Sequence, residues 1–366
     1  MEDMDVGLVV ATIGFLLGAV FGATAQRTNF CTMGAISDAV FMGDYNRFRA
    51  WMLAIAVAIL GTQALHMTET VDVNQSIYLT TSFGWAGAII GGLLFGFGMT
   101  MTGGCGNKTL VRLGAGNLKS LMVALVMGIF AYMTLRGLIG LVRVEIEGVA
   151  NLDLEPGGYA AQGIPDFIMK TGIPDETARL IAVAVVAGGL LIYCFKNAEF
   201  RTSKPDLTAG LIIGLLVPIA WWVTGAFGQD EFDPTPPVSF TFVAPVGESI
   251  QYLMTFTGAT INFGIAVVGG VIAGSFVAAK ASGEFRVESF ADANDMLRHM
   301  FGASIMGIGG VMALGCTIGQ GITGMSTLAL GSLIALLSIF AGGYLGMKYL
   351  EEGSLGAAIA AAFSRE

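Results

Sequence analysis

Residues 96–105 read GFGMTMTGGC, and the phrase returns as GATAQRTNFC at 22–31 and GIGGVMALGC at 307–316, each time with a glycine nine residues before a cysteine. A short apolar stretch punctuated by glycine follows every copy: TMGAISDAVFMG at 32–43, GNKTLVRLGAG at 106–116 and TIGQGITGMSTLALG at 317–331. Crossing a bilayer core takes about 20 apolar residues, so these stretches predict re-entrant half-helices, with a cysteine at each break. Backbone broken at that depth survives only inside protein or beside a water-filled cavity. A further copy is expected at 207–228, LTAGLIIGLLVPIAWWVTGAFG, with Val223 or Thr224 where the cysteine would stand.

The rest of the chain fits this reading. Of 366 residues, 54% are hydrophobic and 12% charged, with a mean hydropathy of +0.74. Soluble domains carry about twice that charge, so lipid is the main solvent. Fifty-three glycines suit helices that pack closely without a hydrophobic drive. A net charge of −9 gives no basic surface for nucleic acid. The acidic start Met1–Asp5 lacks the basic leader of a cleaved signal, so the first apolar run is expected to stay as a helix.

About nine apolar runs are expected to span, at roughly 6–25, 50–66, 83–102, 119–141, 178–196, 207–225, 257–280, 300–316 and 331–348. The fold class is therefore an all-α polytopic membrane protein with added half-helices. Arg47/Arg49, Arg112/Lys119, Lys196/Arg201/Lys204 and Lys280/Arg286/Arg298 fall in alternate loops, which places those loops in the cytoplasm. The N-terminus is then outside and the C-terminus cytoplasmic. On this topology the breaks at Cys31 and Cys105 follow inward helices and the break at Cys316 an outward one, an inverted internal repeat. The chain divides into a membrane half at 1–141 with two cysteine repeats, an acidic outer loop at 142–177 folding over the outer mouth, and a second half at 178–366 with one. The Pro-rich stretch 229–245 is expected to be a similar outer loop, since proline cannot continue a helix.

Inverted-repeat transporters hold substrate near the midplane, with half-helix N-termini aimed at anionic groups. The segments QRTNFCTMGAISD at 26–38, TGGCGNKTLVRLGAGN at 102–117 and ALGCTIGQGITG at 313–324 resemble the signature segments of the YeeE/YedE family, over most of the chain. The resemblance implies a sulfur-compound transporter of the bacterial inner membrane, taking up thiosulfate past three central cysteines. By motif position these are Cys31, Cys105 and Cys316. Some relatives are tied to selenium, and the outer loop at 142–177 is longer than in shorter members. No TusA-like sulfur-carrier segment lies within these residues, so a separate cytoplasmic one is a candidate partner.

A neutral thiol is a weak, polarizable donor. Three in series suit a soft sulfur dianion that must lose water without being held, relayed from Cys316 through Cys105 to Cys31. Attack of a thiolate on the sulfane sulfur, giving a persulfide, is the chemical alternative. Arg27 and Lys108 could draw an anion inward or act as interface anchors. Asn29, Asn107 and Gln320 could donate to its oxygens or cap broken backbone. Asp38 is either a proton relay or a surface charge. Cys194, in LIYCFK at 191–196, reads as filler, and His66 and His299 as loop-edge residues without ligand roles.

Two other functions compete. Met99 and Met101 ahead of Cys105 fit a Cu(I) path, which the neighbouring cations oppose. A membrane thiol-redox or sulfurtransferase protein would want a Cys-x-x-Cys pair or a nucleotide loop, and the sequence has neither. No metal or cofactor is expected. Inward movement of a dianion against 100 mV costs about 4.6 kcal/mol, from about 2.3 per charge, so symport or rapid consumption inside is needed.

Overall fold

A computed structural model describes residues 6–228 and 237–363. Met1–Asp5 and 229–236, the latter holding the start of the expected Pro-rich loop, lie outside the described residues. Helices run in the order α1 (Val6–Thr28), α2 (Thr32–Ser37), α3 (Asn46–Met67), α4 (Trp85–Met101), α5 (Gly106–Gly114), α6 (Leu118–Arg136), α7 (Leu138–Ala150), α8 (Ile164–Met169), α9 (Asp175–Lys196), α10 (Ala198–Thr202), α11 (Lys204–Trp222), α12 (Val243–Met254), α13 (Phe263–Ser282), α14 (Ala293–Met312), α15 (Leu330–Glu352) and α16 (Leu355–Phe363). The described strands are a two-residue pair, β1 (Ser82–Phe83) and β2 (Leu152–Asp153).

Eight helical segments among the described residues are long and apolar enough to cross a membrane. The run expected at 300–316 is α14, which begins earlier and carries Asp295, Arg298 and His299 in its first turns. Its remainder is glycine-rich and packs between α4 and α6, where Gly302 meets Gly98 and Gly307 meets Met127.

Four units repeat one plan of long helix, break, short helix and long helix: α1–α3, α4–α6, α11–α13 and α14–α15. In the last unit the short helix covers 317–326 and widens into a π-helical turn over Gly319–Gly324. Gln26 meets Glu284, Asn117 meets Glu288 and Lys119 meets Asp295, so the end of α1 and the starts of α6 and α14 share one end of the bundle. Half-helices α2 and α5 run toward that end. The segment 317–326 runs to the other, where the main chain of Gln162 and Ile164 pairs with Leu330 and Leu328. The loop before α8 is thus stapled beside the fourth unit.

Close helix contact rests on glycine. A Cβ at Gly22 would strike the carbonyl of Val271 and one at Gly274 the carbonyl of Ala19, which brings α1 and α13 into backbone contact. Gly96 and Gly342 do the same for α4 and α15.

Two expectations are corrected. The span at 119–141 ends at Arg136, because Gly137 turns extended (φ −110°, ψ −158°) and α7 folds back. Arg143 on α7 donates to the freed Thr134 carbonyl at 3.1 Å, which satisfies the cut helix end. In the third unit the break is not at Val223 or Thr224. The chain there continues as a π-helical turn to Phe227, and the half-helix opens only at Val243, with Phe242 as its N-cap. Phe21, Phe240, Phe242 and Phe263 fill this quarter of the core, with Phe21 5.5 Å from Phe240 and 5.2 Å from Phe242 between ring centres.

Candidate functional site

Each cysteine break is made the same way. Asn29, Gly103 and Leu314, each two residues before a cysteine, are left-handed, with φ of 52°, 69° and 57°. That turn closes the preceding helix: Gly104 N–H reaches Met99 and Gly315 N–H reaches Gly310. The backbone then extends, and the cysteine becomes the N-cap residue of the half-helix, Cys31 at φ −156°, ψ 127° and Cys105 at φ −78°, ψ 178°. A thiol thus sits where free amides and the positive dipole end converge. Cys31 Sγ accepts from Gly34 N–H at 3.5 Å and Cys316 Sγ from Gly319 N–H at 3.4 Å.

The four half-helix tips meet at the centre. The thiols of Cys31 and Cys105 face one another, and the Thr317 hydroxyl, next to Cys316, faces Cys105. The Phe242 amide, from the third tip, faces Cys316. All three cysteines are free and buried, with exposures of 5%, 0% and 0%.

Around them the charge is positive. Lys108 is 7% exposed and its Nζ donates to Asn29 Oδ1 at 3.1 Å. No carboxylate among the described residues forms an ion pair with it. Arg112, held on the Gly103 carbonyl at 2.7 Å, and Arg47, 3.3 Å from Asp38, add to the field. Asp38 is therefore an ion-pair partner at the end of α2.

Of the three amides expected to donate to a bound anion, one has a buried N–H to offer. Asn107 Oδ1 accepts from Cys105 S–H at 2.5 Å and from Lys108 N–H at 2.8 Å, which leaves its Nδ2 buried and unpartnered. Asn29 instead accepts from Lys108. Gln320 gives its amide N–H to the Ala313 carbonyl, so the atom left free is the acceptor Oε1. Arg27, expected nearby, is exposed and outside the cluster. Met99 lies against Gly343 on α15 and Met101 against Gly302 on α14, both in helix packing. Cys194 donates to the Arg49 carbonyl at 3.3 Å, and His66 and His299 bond to Val71 and Asp295 carbonyls, away from the cluster.

Sequence reasoning missed Thr317, Phe242, Tyr78, Gln162 and Ser332. Tyr78, from the loop after α3, reaches the Cys316 side, and burial pushes its phenol above the ordinary range, so it stays protonated. Tyr78 and Gln162 are carried by loops distant in sequence from the cysteines; Thr317 alone, directly after Cys316, was open to local reading.

A membrane-helix bundle of four broken-helix units, enclosing three thiols and an unneutralised buried lysine, has the construction of a transport protein. The chain belongs to the sulphur transport family, whose model matches residues 27–345. It is 29% identical over 324 residues to the thiosulfate transporter TsuA of Escherichia coli strain K12, covering 84% of this chain and 86% of that protein. The thiosulfate transporter TsuA of Spirochaeta thermophila is 25% identical over 322 residues, covering 85% and 90%. The probable transporter YedE of Escherichia coli strain K12 is 31% identical over 102 residues, covering 27% and 23%.

Proposed function

We propose that this protein takes up a small sulfur-containing anion, thiosulfate, along Cys316, Cys105 and Cys31 in that order. The observation that carries the reading is the convergence of three buried thiols at half-helix tips, with Cys31 facing Cys105 and Thr317 linking Cys105 to the Cys316 tip. The names of the two relatives matched over most of their length agree with this substrate. Neutral thiols and the free Asn107 N–H replace the ion's hydration with weak donors, while Lys108 supplies the counter-charge at the Cys31 side. Weak donors of this kind let the ion leave as readily as it enters.

The end of the bundle holding Arg47, Arg49, Arg112, Lys119, Lys280 and Arg298 is the cytoplasmic one in this proposal, in an inner membrane, with the first helix starting outside. A separate TusA-like carrier would receive the sulfur there. Uptake of radiolabelled thiosulfate into proteoliposomes tests the reading. Concentration-dependent uptake that sulfite or selenite does not displace supports it, and no uptake above protein-free vesicles refutes it.

A further inference from the structure

The outer side of the fourth unit holds a second polar site that is unlike the thiol cluster. Gln320 and Ser332 are 3% and 2% exposed, and Gln320 Oε1 and Ser332 Oγ are both unpartnered. Both oxygens crowd the place a Cβ on Gly324 would occupy, so a glycine there keeps them close together. Gln162, from the stapled outer loop, brings Oε1 to 2.7 Å from where a Cβ of Gly331 would stand. The two amide nitrogens are turned away, that of Gln320 to the Ala313 carbonyl and that of Gln162 to Thr80 Oγ. Since a carbonyl can only accept, the Ala313 contact fixes which way the Gln320 amide faces.

These residues line a cavity of about 20 Å³, with Tyr78 on its wall. It has room for one water or one bare monatomic ion, and none for a polyatomic anion. Its lining is rich in acceptors, which repels an anion and attracts a cation. The donors are neutral, hard oxygens, and no cluster of three or more His, Cys, Asp or Glu that could hold a metal occurs among the described residues, which suits an alkali ion better than a transition metal. The site lies on the π-helical turn Gly319–Gly324, and unwound backbone beside a half-helix is where secondary transporters coordinate coupling ions.

We propose that this cavity binds a sodium ion that is carried with the anion, through Gln320 Oε1, Ser332 Oγ and Gln162 Oε1. Gln320 N–H bonds the Cys316 carbonyl at 2.8 Å, so the cation rests within a turn of the first thiol of the path. Each ion then raises the affinity of the other, since binding couplings are reciprocal. The coupling role rests on the transport reading; the cation site does not.

Purified full-length protein without substrate is melted in sodium chloride and in choline chloride of equal ionic strength. Sodium raises the melting temperature by several degrees in the wild type. Ser332→Ala abolishes that rise while melting normally in choline, and Gln162→Glu, which adds a charge, shifts the sodium midpoint to concentrations several-fold lower. Equal melting of the wild type in both salts means that the cavity holds a water only and overturns the proposal. Thiosulfate uptake of equal rate in both salts overturns the coupling but leaves the transport reading standing. A sodium shift in a protein that takes up no thiosulfate overturns the transport reading and leaves the cation site.

Discussion

Lys108 Nζ on α5 donates to Asn29 Oδ1 at 3.1 Å, joining the half-helix of the second unit to the left-handed turn that ends α1 in the first. This places the buried cation between the Cys31 and Cys105 breaks. Lys108→Met keeps the stem and removes the charge. It is expected to lower thiosulfate uptake at least tenfold, equivalent to about 1.4 kcal/mol, with the melting temperature unchanged or higher, because a buried charge is removed. Undiminished transport in proteoliposomes would separate Lys108 from the path.

Cys105→Ala removes the central thiol and frees Asn107 Oδ1 from its S–H partner. Uptake is expected to vanish while the protein folds and purifies normally. Cys194→Ala is the control: it loses one hydrogen bond to Arg49, worth about 1 kcal/mol, and should keep uptake within about twofold. Equal activity of both variants would sink the thiol relay.

Intact-mass spectrometry after exposure to thiosulfate distinguishes passage from covalent transfer. A relay of neutral thiols leaves the mass of the wild type unchanged. A mass gain of one sulfur, lost in Cys31→Ala or Cys105→Ala and matched by release of one sulfite as the S–S bond of thiosulfate breaks, would establish a persulfide step instead.

Gly103 holds φ at +69°, and an alanine there is strained by about 1–2 kcal/mol. Gly103→Ala should lower the melting temperature and also reduce uptake, since the turn aims Cys105 at the centre. Gly148→Ala, in α7 with open space around it, should do neither.

Backbone contact between α1 and α13 makes Gly274 intolerant of size. Gly274→Leu must force the helices apart and is expected to destabilise by about 3 kcal/mol or more, read as loss of folded protein in detergent. Normal yield and melting would mean that the two helices are not in contact at this point.

The three Gly-to-Cys phrases were legible because a broken membrane helix is a local event. A glycine-rich helix end, a left-handed residue and a capping residue follow one another within a few positions, so 22–31, 96–105 and 307–316 announce their own geometry. The third unit was misplaced for the same reason in reverse. Its helix end at 222–228 looks like the others, yet it continues through a π-helical turn, and the half-helix opens instead at Phe242, whose ring packs against Phe21 and Phe240.

By itself the sequence determined the class of solvent, most of the helical spans and the place of each thiol at a break, since hydropathy and capping act over a few residues. Only the tertiary structure decided that Cys31 meets Cys105 and that Thr317 joins them to the Cys316 tip, that Lys108 has no carboxylate partner in the described fold, and that Gln320 presents an acceptor where a donor was expected. Those outcomes depend on which distant groups share a buried space, and desolvation makes each pairing or missing partner decisive there.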